Sequence, residues 1–425
     1  MDLILNKPNP WLRVFLPFTA GFYLSYLLRN VNAVIAPDLT RDFGLAATDL
    51  GLLTSAYLIA FGAFQLPLGI LLDRYGARRV ETLLLLSAAC GCAVFAAAQD
   101  LAHLVMARAM IGLGVSACLM ASFKACSQWF PIERQASLNA AIMTAAALGA
   151  LTATVPLGWA LPLIGWRGSF VALALFALAA SALIYSTPEK PAAASKESFA
   201  TQLRGLAQVL KSATFWRFAP QTGLIVGGTM AVQGLWAVPW LMNFNNYTRE
   251  VAATHLLLMS LGMLFGYILV ATMVNRLAAR GVSAETLLTL AMGVVLLLGL
   301  LMIFEAASTY WLWSAMGLAF SVTNLSYAML SKNFPMQFAG RANTALNLFA
   351  FVGAFSVQGG FGAIVDLNLA RGAVAHDAYR SAFAALLVAQ GLSFAWYLFG
   401  ARRPVHPGYE GISPSSISDR PGNGR

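Results

Sequence analysis

Twelve long, nearly uninterrupted apolar runs constrain this chain more than any other feature. They lie near 14–37, 50–72, 80–99, 103–127, 136–160, 168–186, 215–240, 253–275, 284–304, 310–331, 342–365 and 379–400. Each is close to the roughly 20 residues that a helix needs to cross a bilayer core of about 30 Å. Strands of a membrane barrel would be shorter and would alternate in polarity. Lipid cannot satisfy free backbone groups, so runs of this kind must be helices. Composition agrees: 10% of the 425 residues are charged and 59% are apolar, whereas soluble domains carry about 25% charge. Disorder is excluded by the same numbers. The first run continues past Pro17 with no small-residue cleavage site, so it reads as an uncleaved first span rather than a signal peptide.

The distribution of Lys and Arg sets an expected orientation. With both termini cytoplasmic, 19 of the 27 basic residues fall on cytoplasmic loops and ends, and five (Arg41, Arg167, Arg249, Arg371 and Arg380) on the opposite side. The remaining three, Arg29, Arg108 and Lys124, lie inside runs. The net charge of +10 is thus scattered over short loops, and no basic domain exists that could track the phosphates of a nucleic acid. The expected location is a bacterial inner membrane. Cys90, Cys92, Cys118 and Cys126 all sit in apolar runs and read as small packing residues. No metal or cofactor is expected. No phosphate-binding glycine loop is present, so ATP does not drive the chain directly. No nucleophile–base set lies outside the runs, so an enzyme is not expected.

The chain reads as four segments. They are an N-terminal six-helix bundle (1–186), a polar central loop (187–214), a C-terminal six-helix bundle (215–400) and a Pro-, Gly- and Ser-rich tail (401–425) expected to be disordered. The two bundles repeat each other. APDL at 36–39 matches VPWL at 238–241, and DRYGAR at 73–78 matches NRLAAR at 275–280, both at an offset of 202. Phe-Pro at 130–131 recurs at 334–335, and WRGSF at 166–170 recurs as YRSAF at 379–383. Parallel six-helix repeats are an architecture of alternating-access carriers, with the substrate site between the halves near the midplane.

The stretch GILLDRYGARR, Gly69 to Arg79, resembles the signature loop between the second and third spans of the major facilitator superfamily. Asn275 marks a degenerate second copy, and Arg108 with Gly112 and Gly114 resembles the fourth-span pattern. The resemblance covers about 11 to 400. It implies an all-α membrane protein of twelve transmembrane helices in two pseudo-symmetric bundles, working as a monomer. It also implies that Gly69, Asp73, Arg74, Gly76 and Arg78 form a gating latch between the halves, with Arg108 a gate or proton-linked residue; snorkelling to the interface is the alternative for Arg108. A plain positive-inside anchor is the structural alternative for the loop.

Arg29 carries most of the functional expectation. It lies in YLLRNVN at mid-depth of the first run, where an Arg costs about 2.5–3.5 kcal/mol on insertion scales. Its planar fork suits a carboxylate or phosphate. Tyr26 and Asn32, three residues to either side, share its helix face. The expected role is capture of an anionic substrate; the alternative is a structural Arg bonded to the carbonyls of a neighbouring helix. Lys124 either completes an electropositive cavity or snorkels to the interface. From the second half, Gln233, Trp236, Asn324, Tyr327, Asn343 and Asn347 are candidate cavity contacts. No Asp or Glu is expected at mid-depth, so the proton site is left open; His103 and His255 are expected at the surface.

The expectation is therefore a secondary transporter of a small organic anion with lipid as its solvent, driven either by uptake down the proton gradient, with protons as the coupling ion, or by facilitated exchange. Two rivals stay open at this point: an exporter of neutral or amphipathic compounds, and a membrane sensor that does not transport.

Overall fold

A computed structural model describes residues 9–131, 134–188, 206–305, 309–334 and 336–400. Among the described residues there is no strand, and ten helices are long and apolar enough to cross a membrane. They are Trp11–Phe43, Ala47–Gln65, Arg74–Ala96, Leu101–Trp129, Val155–Tyr185, Ala213–Asn243, Arg249–Val270, Ala284–Ile303, Arg341–Ala370 and Ala375–Gly400. The predicted fifth run forms Gln135–Thr152, and the tenth forms Thr309–Thr323 and Leu325–Lys332, interrupted at Asn324. The runs are numbered below as spans one to twelve in this order. The tail from 401, expected to be disordered, lies outside the described residues, as does 189–205 of the central loop.

Several boundaries differ from the sequence expectation, each for a local reason. Pro37 does not stop the first span, which runs on to Phe43 and ends where Gly44 turns left-handed. The second and third spans, within Ala47–Ala96, are two helices that meet at Gly76 with no coil between them, and this glycine's φ of 81° suits a residue without a Cβ. The fifth span is interrupted at Ala153 and Thr154 and continues from Val155 to Gly165, a second positive-φ glycine, where the chain passes into the sixth span. The seventh span passes through two π-helical turns, Thr222–Val226 and Val232–Trp236. Such turns shift the register of a helix face and cluster at functional places.

The fourth span is also interrupted, between Leu101–Gly114 and Cys118–Trp129. Irregular backbone at membrane depth must be re-satisfied by protein. Gln65 donates its side-chain amide to the Ser116 carbonyl at 2.9 Å, and the Ser116 hydroxyl bonds the Leu113 carbonyl at 2.7 Å. Small residues let helices cross at backbone distance. A Cβ on Gly114 would strike the Ala88 backbone, one on Gly149 the Tyr23 carbonyl, and one on Gly353 the Gly223 carbonyl.

The Gly353 crossing gives a direct test. Gly353→Ala should lower the melting temperature in detergent, because overpacking costs about 1–3 kcal/mol. Gly293→Ala, where nothing lies within 4 Å of the added methyl, should leave it unchanged. Equal behaviour of the two variants would contradict the packing described.

Candidate functional site

The Arg29 side chain leaves the first span into an aromatic box. Its guanidinium carbon lies 4.7 Å from the ring centre of Tyr26, 5.0 Å from Phe61 and 5.6 Å from Phe351. The first, second and eleventh spans thus each supply a wall. Tyr57, fully buried on the second span, also faces the guanidinium. Arg29 forms no ion pair among the described residues, and its buried Nε has no hydrogen-bond partner, nor does the Tyr57 hydroxyl. The sequence alternative, an Arg tied to backbone carbonyls of a neighbouring helix, is therefore not what the geometry shows. Aromatic faces stabilise a cation by roughly 0.5–2 kcal/mol, less than the charge needs.

Across from Tyr26 stand Tyr267 of the eighth span and Tyr327 of the tenth. Asn324 reaches the Tyr267 hydroxyl at 3.4 Å, Tyr327 donates to Asn347 at 3.2 Å, and Ser331 donates to Asn343 at 2.8 Å. A wall of hydroxyls and amides from the second half thus faces the Arg29 box from the first. Such a pairing suits a ligand with one anionic end and several hydroxyl or carbonyl oxygens.

Other expected site residues lie elsewhere. Asn32 is buried and donates to Thr54 at 3.1 Å, tying the first span to the second. Lys124 donates to the Leu72 carbonyl at 2.8 Å, near the end of the second span, so it braces that end rather than joining the Arg29 box. Gln233 bonds Ser260 at 3.2 Å within the second half. Trp236 is buried and stacks on Phe361 at 4.6 Å. Two residues before it, Gly234 brings the seventh span against the Arg29 carbonyl.

Arg108 does not snorkel. It is 1% exposed, donates to the Leu28 carbonyl at 2.9 Å, and lies among the rings of Tyr57, Phe95 and Phe170. It therefore fixes the backbone of the residue before Arg29, and Tyr57 stands between the two arginines. In the signature loop, Arg78 donates to the Thr187 and Tyr185 carbonyls at 3.2 and 3.4 Å, both at the end of the sixth span. Arg74 is exposed over Tyr75, Gly69 is exposed, and the Asp73 side chain lies outside what is described. The described bonds of Arg78 thus stay within the first half.

Two sequence expectations need correction. His255 is fully buried, held by Thr309 at 2.6 Å and the Val251 carbonyl at 2.7 Å, whereas His103 is exposed beside Asp100 as expected. Cys90 is exposed, unlike the other three cysteines. Glu81 lies near the Gly76 end of the third span, not at mid-depth, and has no exposed surface. Tyr57, Phe61, Phe351 and Tyr267 were not singled out in the sequence, because aromatic residues in apolar runs look like ordinary core.

The end of the molecule opposite the termini is shut. Asp38 bridges Arg249 at 2.8 Å and Arg41 at 3.1 Å. Asp366 of the eleventh span accepts from the backbone amides of Ala47 and Thr48 at 3.0 and 2.7 Å, a carboxylate on the positive end of the second span's helix. Below it, Gly51 presses on the Gln358 backbone and Ser55 donates to the Phe355 carbonyl at 3.4 Å.

Comparison with known proteins agrees with this architecture. The family model described as Major Facilitator Superfamily matches residues 18–358, and the chain belongs to that family. It is 28% identical to the Escherichia coli K12 hexuronate transporter over 153 residues, 36% of this chain and 35% of that one. It is 26% identical over 344 residues to the probable sulfoacetate transporter SauU of Cupriavidus necator, 76% of this chain and 79% of that one. The match to the hexuronate transporter therefore spans about a third of that protein. Among solved structures, the nucleoside transporter NupG superposes with a TM-score of 0.73 at 12% identity, covering 93% of this chain and all of that one. A D-xylose-proton symporter superposes with a TM-score of 0.72 at 17% identity, covering 90% and 96%. These likenesses show the fold.

The closed end can be tested without a substrate. In a background lacking the native cysteines, a cysteine at Ser55 should be shielded from a polar maleimide. Adding Asp366→Ala should raise its labelling several-fold. Unchanged labelling would show that the Asp366 fork does not hold that end shut.

Proposed function

We propose that this protein is a secondary transporter of a small organic anion, a carboxylate of sugar-acid size, and that Arg29 binds its anionic group. The observation that carries this reading is a guanidinium with no ion-pair partner among the described residues, inside a ring of aromatics. A charge at that depth is costly and is kept where a ligand completes it. The hydroxyl and amide wall of Tyr267, Asn324, Tyr327 and Asn347 suits the remaining oxygens of a polyhydroxy acid. Relatives named as hexuronate, L-galactonate and sulfoacetate transporters support the same class. An exporter of neutral compounds would need Arg29 tied off by a neighbouring helix, and it is not.

The basic-residue bias supports cytoplasmic termini and an inner-membrane location. In that orientation the shut end is the outer one, and this conformer belongs to the inward-facing part of an alternating-access cycle. We read the direction as uptake, coupled to protons, by a monomer.

Purified protein should gain thermal stability with D-galacturonate, D-glucuronate or sulfoacetate, because a ligand of the folded state stabilises by mass action. Arg29→Ala removes a buried charge partner worth about 2–5 kcal/mol, so the dissociation constant should rise by roughly 30-fold or more. Arg29→Lys keeps the charge but loses the fork and should fall between. Undiminished uptake of the bound acid into Arg29→Ala proteoliposomes would sink the assignment.

A further inference from the structure

Glu81 is the one acidic side chain among the described residues with no exposed surface at all. It lies in the third span, five residues after the Gly76 turn, at the start of an apolar run. Both carboxyl oxygens are buried and have no hydrogen-bond partner. No cation pairs with it among the described residues. From the fourth span the Cys118 thiol faces it, from the first span Gly21, and from the sixth Ile184. Three residues earlier on its own helix, Arg78 is turned to the end of the sixth span.

The niche is cut for this group. A Cβ on Gly21 would lie 2.5 Å from Glu81 Oε1, so glycine is what lets the carboxyl seat against the first helix. That seat is two turns from Arg29 on the same span. Cys118 opens the second segment of the interrupted fourth span, beside the backbone break at Val115–Ala117. Glu81 is therefore enclosed by elements that also carry or brace the Arg29 box. A purely structural acid would be expected to bind something, since an unsatisfied buried polar group costs about 1–3 kcal/mol. An uncompensated carboxylate in this niche would cost several kcal/mol more.

We propose that Glu81 is the proton-carrying site of the transport cycle. It holds a proton on its carboxyl in the inward-facing conformer described and releases it from that side, before the empty carrier turns back. Only an O–H bond forms and breaks: the proton arrives from the outer aqueous phase and leaves to the cytoplasmic one. A singly charged acid on Arg29 and one proton on Glu81 then cross together with no net charge moved.

The test has two arms, the first free of any substrate and so independent of the anion reading. Wild-type protein in proteoliposomes is treated with dicyclohexylcarbodiimide, which adds to protonated carboxyls in apolar surroundings, and its peptides are weighed. An adduct on Glu81 whose yield falls as pH rises is expected; no adduct, or a yield insensitive to pH, overturns the proposal. In the second arm, Glu81→Gln keeps shape and burial. It should retain D-galacturonate counterflow near the wild-type rate, while accumulation driven by an inward proton gradient drops from several-fold to equilibration. Accumulation at the wild-type level overturns the proposal. If wild type shows no galacturonate counterflow, the substrate reading fails and the labelling arm alone decides Glu81; it decides equally if the Gln variant does not fold.

Discussion

An arginine paired with no carboxylate among the described residues, held at the middle of a bilayer-spanning helix, is the constraint around which the rest is arranged. Water cannot reach it freely and lipid cannot solvate it, so its surroundings must tolerate the charge without cancelling it. Aromatic faces do this: Tyr26, Phe61 and Phe351 offer electron density without offering an acid. A carboxylate in the box would have satisfied the charge permanently and removed the reason for a ligand to bind. Arg108 serves the same end from behind. By holding the Leu28 carbonyl, it fixes the helix turn from which Arg29 projects, and pre-organisation of that kind reduces what a ligand must order on binding.

The closed end shows a different use of charge. Asp366 is not paired with a side chain there but with two backbone amides at the start of a helix. Those amides have no intrahelical partner, so they must be met by protein or by water. Separating the second and eleventh spans at that end exchanges protein contacts for hydration, a near-balanced trade that suits a gate better than a buried ion pair would. The Asp38–Arg249 bridge beside it adds a cross-link from the first span to the start of the eighth.

Much of this was legible in the chain itself. Hydropathy located the spans, and a mid-run Arg pointed to the proposed site, because a cation in lipid is rare for a physical reason. Asn32 and Lys124 were legible as polar groups in apolar helices, but their partners, Thr54 and the Leu72 carbonyl, depend on which helices become neighbours. Tyr57, Phe351 and Tyr267 carry no such mark, since an aromatic residue in an apolar run looks the same whether it packs or lines a cavity. Glu81 escaped notice because it stands at the edge of its run, next to two arginines, where an acid reads as part of the loop. The glycine that accommodates it is sixty residues away.

The second and third spans meet at Gly76 with no coil between them. One of the two helices carries Tyr57 and Phe61 at the arginine box, and the other carries Glu81 close to the turn. Joined through a single residue, they leave little chain to spare, so one hairpin holds both a wall of the box and the niche of the carboxyl.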